Sequence, residues 1–151
     1  GLGDVYKRQG QNKTRVPQIG EVYYMRFGGT GSEQEGFRPG LVFQNNMGNA
    51  HSPNIIALPM TSVMKKLGQP THVFVNGKEA GLKKNSLVLC ENPECMSKER
   101  IGGYITKLPD KYMKQIATAS LLASSVIAYL DVDALVKAWQ KAVRLNANMT
   151  A

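Results

Sequence analysis

The sequence is poor in the side chains on which most metal-dependent and hydrolytic enzymes are built. It holds two cysteines and two histidines in 151 residues. Cys90 and Cys95 stand in a C-x4-C spacing with no second cysteine pair, and only His51 and His72 could complete a zinc set, so neither a disulfide nor a metal site has support. Reduced, unligated thiols fit a cytosolic protein. No apolar run approaches the roughly 20 residues that span a bilayer, and no secretory signal pattern opens the chain. The expected location is cytoplasmic, with no membrane partner and no cofactor. Ser-His-Asp, HExxH, GxSxG and paired-carboxylate patterns are all missing. The Gly-rich stretch 28–36 lacks the Lys-Ser/Thr of a phosphate loop and opens no helix, which excludes a nucleotide-cradling turn.

Acidic residues are also scarce, 11 against 19 Lys and Arg, for a formal net charge of +8. Such a balance favours a polyanion or an acidic protein as partner. The head, residues 1–19, carries Lys7, Arg8, Lys13 and Arg15 against Asp4 alone. Residues 20–130 hold twelve basic and eight acidic residues, so the central part is only mildly basic. The head is expected to be a disordered basic tail. Its piece GLGDVYKRQ is expected to be extraneous to the native gene.

From Gly20 the pattern changes. Residues 21–27 alternate and are rich in β-formers, 41–43 and 54–58 are short apolar runs, and 72–75, 86–90 and 100–105 follow at similar spacing. Five or six such strands predict a small, strongly bent sheet or barrel. Residues 44–49 look turn-rich, and Asn76-Gly77 predicts a tight turn. A helix is expected to start at Pro109-Asp110, with Tyr112, Ile116, Ala119, Leu122 (or Ala123) and Val126-Ile127 forming its apolar stripe. Asp131 or Asp133 could cap a further helix bearing Leu135, Val136, Trp139 and Val143, with Trp139 anchored against the domain or a second subunit. The class is β-rich α+β: a domain over 20–130 and a helical extension over 131–151.

Two residues stand out chemically. Arg38 follows the Gly-rich loop and precedes a strand, with Pro39 stiffening the entry. Its planar, permanently charged fork matches phosphate, although the position equally suits an Arg bonded to loop carbonyls, Glu33 or Glu35. Thr61 stands where the strand 54–58 runs out; its hydroxyl can donate to a phosphate oxygen or simply serve a turn.

The run GSEQEGFRPGLVFQNNMGN…SPNIIALPMTS…PTHVFV…SLVLCEN…RI resembles the MazF/PemK toxin family over most of the chain. The resemblance implies an SH3-like β-barrel of the MazF/CcdB kind with a C-terminal helix, assembled as a homodimer. It implies metal-independent, sequence-specific cleavage of single-stranded mRNA to 2′,3′-cyclic phosphate and 5′-hydroxyl ends. It also implies neutralisation by a cognate antitoxin with an acidic disordered segment, in a complex that binds DNA. Arg38 and Thr61 match the family's catalytic pair, while Ser32, Glu33 and Gln34 fall on the loop that lines the RNA groove. Phe37, Gln44, Asn45 and His51 are further candidates for RNA contact, and Phe37, Phe43 and Tyr24 could stack on bases. His72 is expected to be structural. The chain departs from the pattern at Glu91-Asn92-Pro93-Glu94, where relatives often carry a basic residue, and in its head and its extension. The alternatives are a non-enzymatic, CcdB-like inhibitor and an inactive RNA-binding module of the same fold.

Overall fold

The computed structural model describes residues 15–28 and 37–145. Seven antiparallel strands make one sheet: β1 (Glu21–Arg26), β2 (Phe37–Val42), β3 (Asn54–Thr61), β4 (His72–Val75), β5 (Ser86–Leu89), β6 (Glu94–Ser97) and β7 (Ile101–Lys107). The order is β4-β5-β3-β2-β1-β7, with β6 also on β3. The longest strand, β3, organises the rest. One edge takes β2, from Gly40↔Pro59 to Val42↔Ala57. The other edge takes β6 along Asn54–Ala57 and then β5 at Met60 and Thr61. A strand that changes partners along its length turns the corner of a bent sheet.

Because side chains alternate along a strand, the sheet is apolar on both faces. Val22, Leu41, Leu58 and Met60 join Val73, Val75 and Val88 in one core. Tyr23, Met25, Val42 and Ala57 point the other way and join Ile55, Met96 and Ile101 in a second. The first core is closed by α3 (Asp110–Ala123), which buries Tyr112, Ile116 and Ala119 of the expected stripe, while Leu122, Val126 and Ile127 stay exposed because the stripe's far end runs beyond the core. The β-rich α+β class holds. The ladder is barrel-like but open, since among the described residues β4 and β7 end the strand order.

Several local expectations change. Residues 46–51 form a short helix, α1, because Asn45 caps it through Gly48 N–H and the fully buried Asn49 donates to the Gln44 carbonyl. Asn76-Gly77 opens a one-turn helix, α2 (Gly77–Ala80), with Asn76 accepting from Glu79 N–H. A strand not expected from the sequence, β6, begins directly after Pro93. Among the described residues of the head, Arg15 packs against the domain. Its Nη2 pairs with Glu21 Oε2 at 2.5 Å, and its guanidinium lies 4.2 Å over the Tyr104 ring. Burial first, and then the Glu21 charge, raise the Tyr23 hydroxyl's pKa beside this pair, so the phenol stays protonated as it donates to Glu21.

Beyond α3 come α4 (Val126–Tyr129) and α5 (Val132–Leu145), the latter capped by Asp131 accepting from Ala134 N–H. No residue of α5 is buried, and Trp139 is 48% exposed, so it does not anchor against its own domain. Among the described residues, no helix is long and apolar enough to cross a membrane.

Candidate functional site

Arg38 and Thr61 stand at matching ends of neighbouring strands. The β2–β3 register pairs Gly40 with Pro59. Arg38 and Thr61 both lie two residues beyond that pair, at the same end of the two strands, where the ladder between them has ended. Both side chains are half-buried. Arg38 faces Met25 across β1, and its guanidinium lies 4.9 Å over the Phe27 ring. A cation on a ring face is held in place while its N–H groups remain available at the edge. Among the described residues Arg38 makes no ion pair. Gly40 keeps this arrangement tight: a Cβ there would meet Met25 Sδ at 2.6 Å and Phe27 Cζ at 2.7 Å.

The Thr61 hydroxyl accepts from Val63 N–H at 3.1 Å, in the turn that ends β3. The turn role open to it in the sequence is therefore realised, and it does not use the hydroxyl proton. That proton can still be donated outward.

Beside Thr61 lies a cavity of 420 Å³, walled by Tyr24, Pro39, Leu82 and Tyr104 and edged by the exposed Lys83 and Lys84. No carboxylate lines it among the described residues. Arg38 is not part of its lining, because neighbouring residues of β2 face opposite sides and Pro39 takes the cavity side. Sequence reasoning picked out Tyr24 but not Tyr104, Lys83 or Lys84. The signals were the Lys83-Lys84-Asn85-Ser86 run before a strand and the Gly102-Gly103-Tyr104 step.

The other candidates do not gather here. Ser32, Glu33 and Gln34 lie outside the described residues. Phe37 packs on Gly102 of β7, and Phe43 packs against the first core. Gln44 donates to the Asn54 carbonyl at 3.1 Å, and Asn45 caps α1. These two and His51 lie at the far end of the β2–β3 pair from Arg38 and Thr61. With eight residues in β3, the separation is roughly 20 Å at about 3.3 Å per residue. Their observed hydrogen bonds hold the 43–53 connection together.

His72 is structural, as expected. Its Nε2 lies 2.7 Å from Glu91 Oε1 and its Nδ1 3.1 Å from the Lys66 carbonyl. Burial disfavours the Glu91 charge. Hydrogen bonds from the backbone, His72 and Thr71 outweigh it and hold the carboxyl below its usual range. Glu94 accepts from Gly28 N–H at 3.0 Å and pairs with Arg100 at 3.2 Å, so its charge is used inside the fold. Both cysteines are free, and burial pushes the Cys90 thiol up to about 11, away from reactivity.

A small basic α+β domain with a guanidinium and a hydroxyl at neighbouring strand ends, next to a lysine-edged aromatic cavity, fits the class that handles polyanions. Comparison with known proteins narrows this. Residues 18–122 match the model of the PemK-like, MazF-like toxin of type II toxin–antitoxin systems. The chain is similar to Endoribonuclease EndoA of Bacillus subtilis, 35% identical over 115 residues that cover 76% of this chain and 99% of that protein. It is similar to Endoribonuclease MazF of Staphylococcus saprophyticus, 38% identical over 89 residues covering 59% and 74%. Among solved structures, a mycobacterial endoribonuclease in complex with its cognate antitoxin superposes with a TM-score of 0.61 at 28% identity, covering 71% of this chain and 93% of that one. MazF of Deinococcus radiodurans gives 0.59 at 25%, covering 70% and 94%. The chain belongs to the PemK-like, MazF-like toxin family. The match ends inside α3, so α4 and α5 lie beyond it.

Proposed function

We propose that this protein is the toxin of a type II toxin–antitoxin system, an endoribonuclease that cleaves single-stranded mRNA in the cytoplasm without a metal, with Arg38 and Thr61 as its catalytic pair. The observation that supports the reading is that Arg38 and Thr61 lie at the same end of neighbouring strands, just beyond the last β2–β3 pair Gly40↔Pro59, within a domain of this family.

The chemistry follows from the groups available. The substrate's own 2′-hydroxyl attacks the adjacent phosphorus, and the bond to the 5′-oxygen of the next nucleotide breaks. The products are a 2′,3′-cyclic phosphate and a 5′-hydroxyl, and no water enters this step. The protein must align the three atoms and stabilise the extra charge on the phosphorane. Arg38, held over Phe27, supplies a fixed cation and can protonate the leaving 5′-oxygen. Thr61 donates its hydroxyl proton to a non-bridging oxygen. A guanidinium with a pKa above about 12 is a poor base near neutrality, so the group that takes the 2′-hydroxyl proton is left unassigned. Glu33 and Gln34 are placed by this reading along the RNA.

The same reading makes the protein a homodimer neutralised by an antitoxin whose acidic segment folds along the basic surface, as suits a net charge of +8. A solved structure similar to this chain is an endoribonuclease in complex with its cognate antitoxin. The test is cleavage of single-stranded RNA in EDTA with mapping of the ends. Cyclic phosphate ends that disappear with Arg38→Ala support the proposal. Gyrase inhibition without RNA cleavage would favour the inhibitor reading, and RNA binding without cleavage the inactive module.

A further inference from the structure

The cleavage step does not account for the cavity beside Thr61. We propose that it binds one nucleobase of the RNA, that of the nucleotide adjoining the phosphate held by Thr61, and so sets the base preference of the cut. This rests on the RNA-cleaving reading above.

The cavity's size and walls both point to this occupant. At 420 Å³ it falls at the small end of ligand sites, the scale of a single planar group and its sugar. Two phenol rings, Tyr24 and Tyr104, together with Pro39 and Leu82, give it flat, apolar walls. Stacking of bases on aromatic rings is the sequence-tolerant part of single-strand recognition. Tyr104 is held before any ligand arrives: Tyr23 meets its ring edge-on at 5.5 Å and 78°, and the Arg15 guanidinium lies 4.2 Å over it. A ring already fixed loses little conformational freedom on binding. Ser86 Oγ donates to the Lys84 carbonyl at 3.1 Å, which leaves its lone pairs for a base-edge N–H.

Selection for an anion-bearing strand comes from the rim. Lys83 and Lys84 stand at the exposed edge with no carboxylate in the lining among the described residues. They follow Gly81, whose φ of +73° turns the chain out of α2; a Cβ there would also meet Thr106 Oγ1 at 2.8 Å. The rim is therefore set by a backbone turn that only glycine makes without strain. An acidic peptide could also meet the two lysines. The aromatic walls favour a planar ring over a carboxylate chain.

The test uses the full chain, single-stranded RNA with a randomised window, and sequencing of the cut ends. Leu82→Trp fills the cavity and Tyr104→Ala removes a wall. Each is expected to flatten the base preference at one position next to the cut by about tenfold or more while preferences elsewhere persist, and Tyr104→Phe is expected to restore it. The double variant Lys83→Ala/Lys84→Ala is expected to raise KM without changing the preferred base. Tyr104 is partly exposed, so Tyr104→Ala serves if Leu82→Trp does not fold. Wild-type base preference and KM in both cavity variants would overturn the proposal. Fluorescence anisotropy of a labelled RNA separates the two readings. If no chain cleaves yet Leu82→Trp binds RNA more weakly, the nuclease reading fails alone. If wild type and both cavity variants bind equally, the subsite fails. Loss of binding to a short Asp/Glu-rich peptide, with RNA binding intact, would make the cavity a peptide site and also overturn the proposal.

Discussion

Arg38 and Thr61 each have an ordinary structural explanation in hand: one packs on Phe27, the other serves a turn through Val63 N–H. Both explanations leave the reactive part of the side chain unspent, the guanidinium edge and the hydroxyl proton. Arg38→Ala is therefore expected to lower kcat about 10²- to 10³-fold, as removal of one preorganised charge stabiliser does. Thr61→Val, which keeps the shape and removes the donor, is expected to cost about 10- to 100-fold. Single-turnover cleavage of a short RNA measures both. Gly40 gives a third prediction at this scale. Gly40→Ala pushes against Met25 and Phe27, so denaturant unfolding should show a loss of about 1–3 kcal/mol. Because Phe27 carries Arg38, kcat should fall more than KM changes.

At the scale of elements, the pair His72–Glu91 ties β4 to the residue that follows Cys90 after β5, and its contribution depends on pH. The Glu91 carboxyl is held below its unfolded range. The stability it contributes is thus fully present above the unfolded carboxylate value of about 4.3 and is lost as pH falls through the lower folded value. Glu91→Gln is expected to be less stable than the parent by about 1–2 kcal/mol at neutral pH. The gap should close below about pH 4, as read by thermal or denaturant melts across pH. For α5 the expectation is a small effect, since none of its residues is buried. Removing residues 125–151 should move Tm by about 4 °C or less, corresponding to roughly 1 kcal/mol for a domain of this size.

These elements also show what was legible beforehand. β1, β4, β5 and α3 announced themselves through alternation or a helical stripe, because each buries one clear face. β6 did not: it holds four residues, begins with Glu94 next to a proline, and exists because β3 offers an edge to pair with. α1 was hidden because Asn, Gly and His suit turns locally. Its Asn45 cap and the buried Asn49, held through Gln44 and Asn46, override that preference. The same network gives Gln44 and Asn45 partners that only the fold reveals. In the candidate site, Arg38 was singled out by the sequence block around it. The cavity was not, since Tyr24, Leu82 to Lys84, and Tyr104 come from three distant segments.

For the whole molecule, the charge of +8 makes RNA association a salt-dependent process. If Arg38, Lys83 and Lys84 each neutralise one phosphate, the logarithm of RNA affinity should fall with the logarithm of salt concentration with a slope of about −2, taking about −0.7 per contact on a single strand. Anisotropy titrations at several salt concentrations give that slope. A slope near zero would mean that the basic surface does not hold the strand. The central claim is more specific, namely that the RNA's own 2′-hydroxyl is the nucleophile and Arg38 and Thr61 stabilise what it forms. The most direct measurement compares cleavage of one RNA, in EDTA, with the same RNA bearing a single 2′-deoxy sugar on the 5′ side of the cut. The account predicts that the deoxy strand still binds, competes with the parent RNA and resists cleavage at that position. Cleavage of the deoxy strand at the parent rate would contradict it.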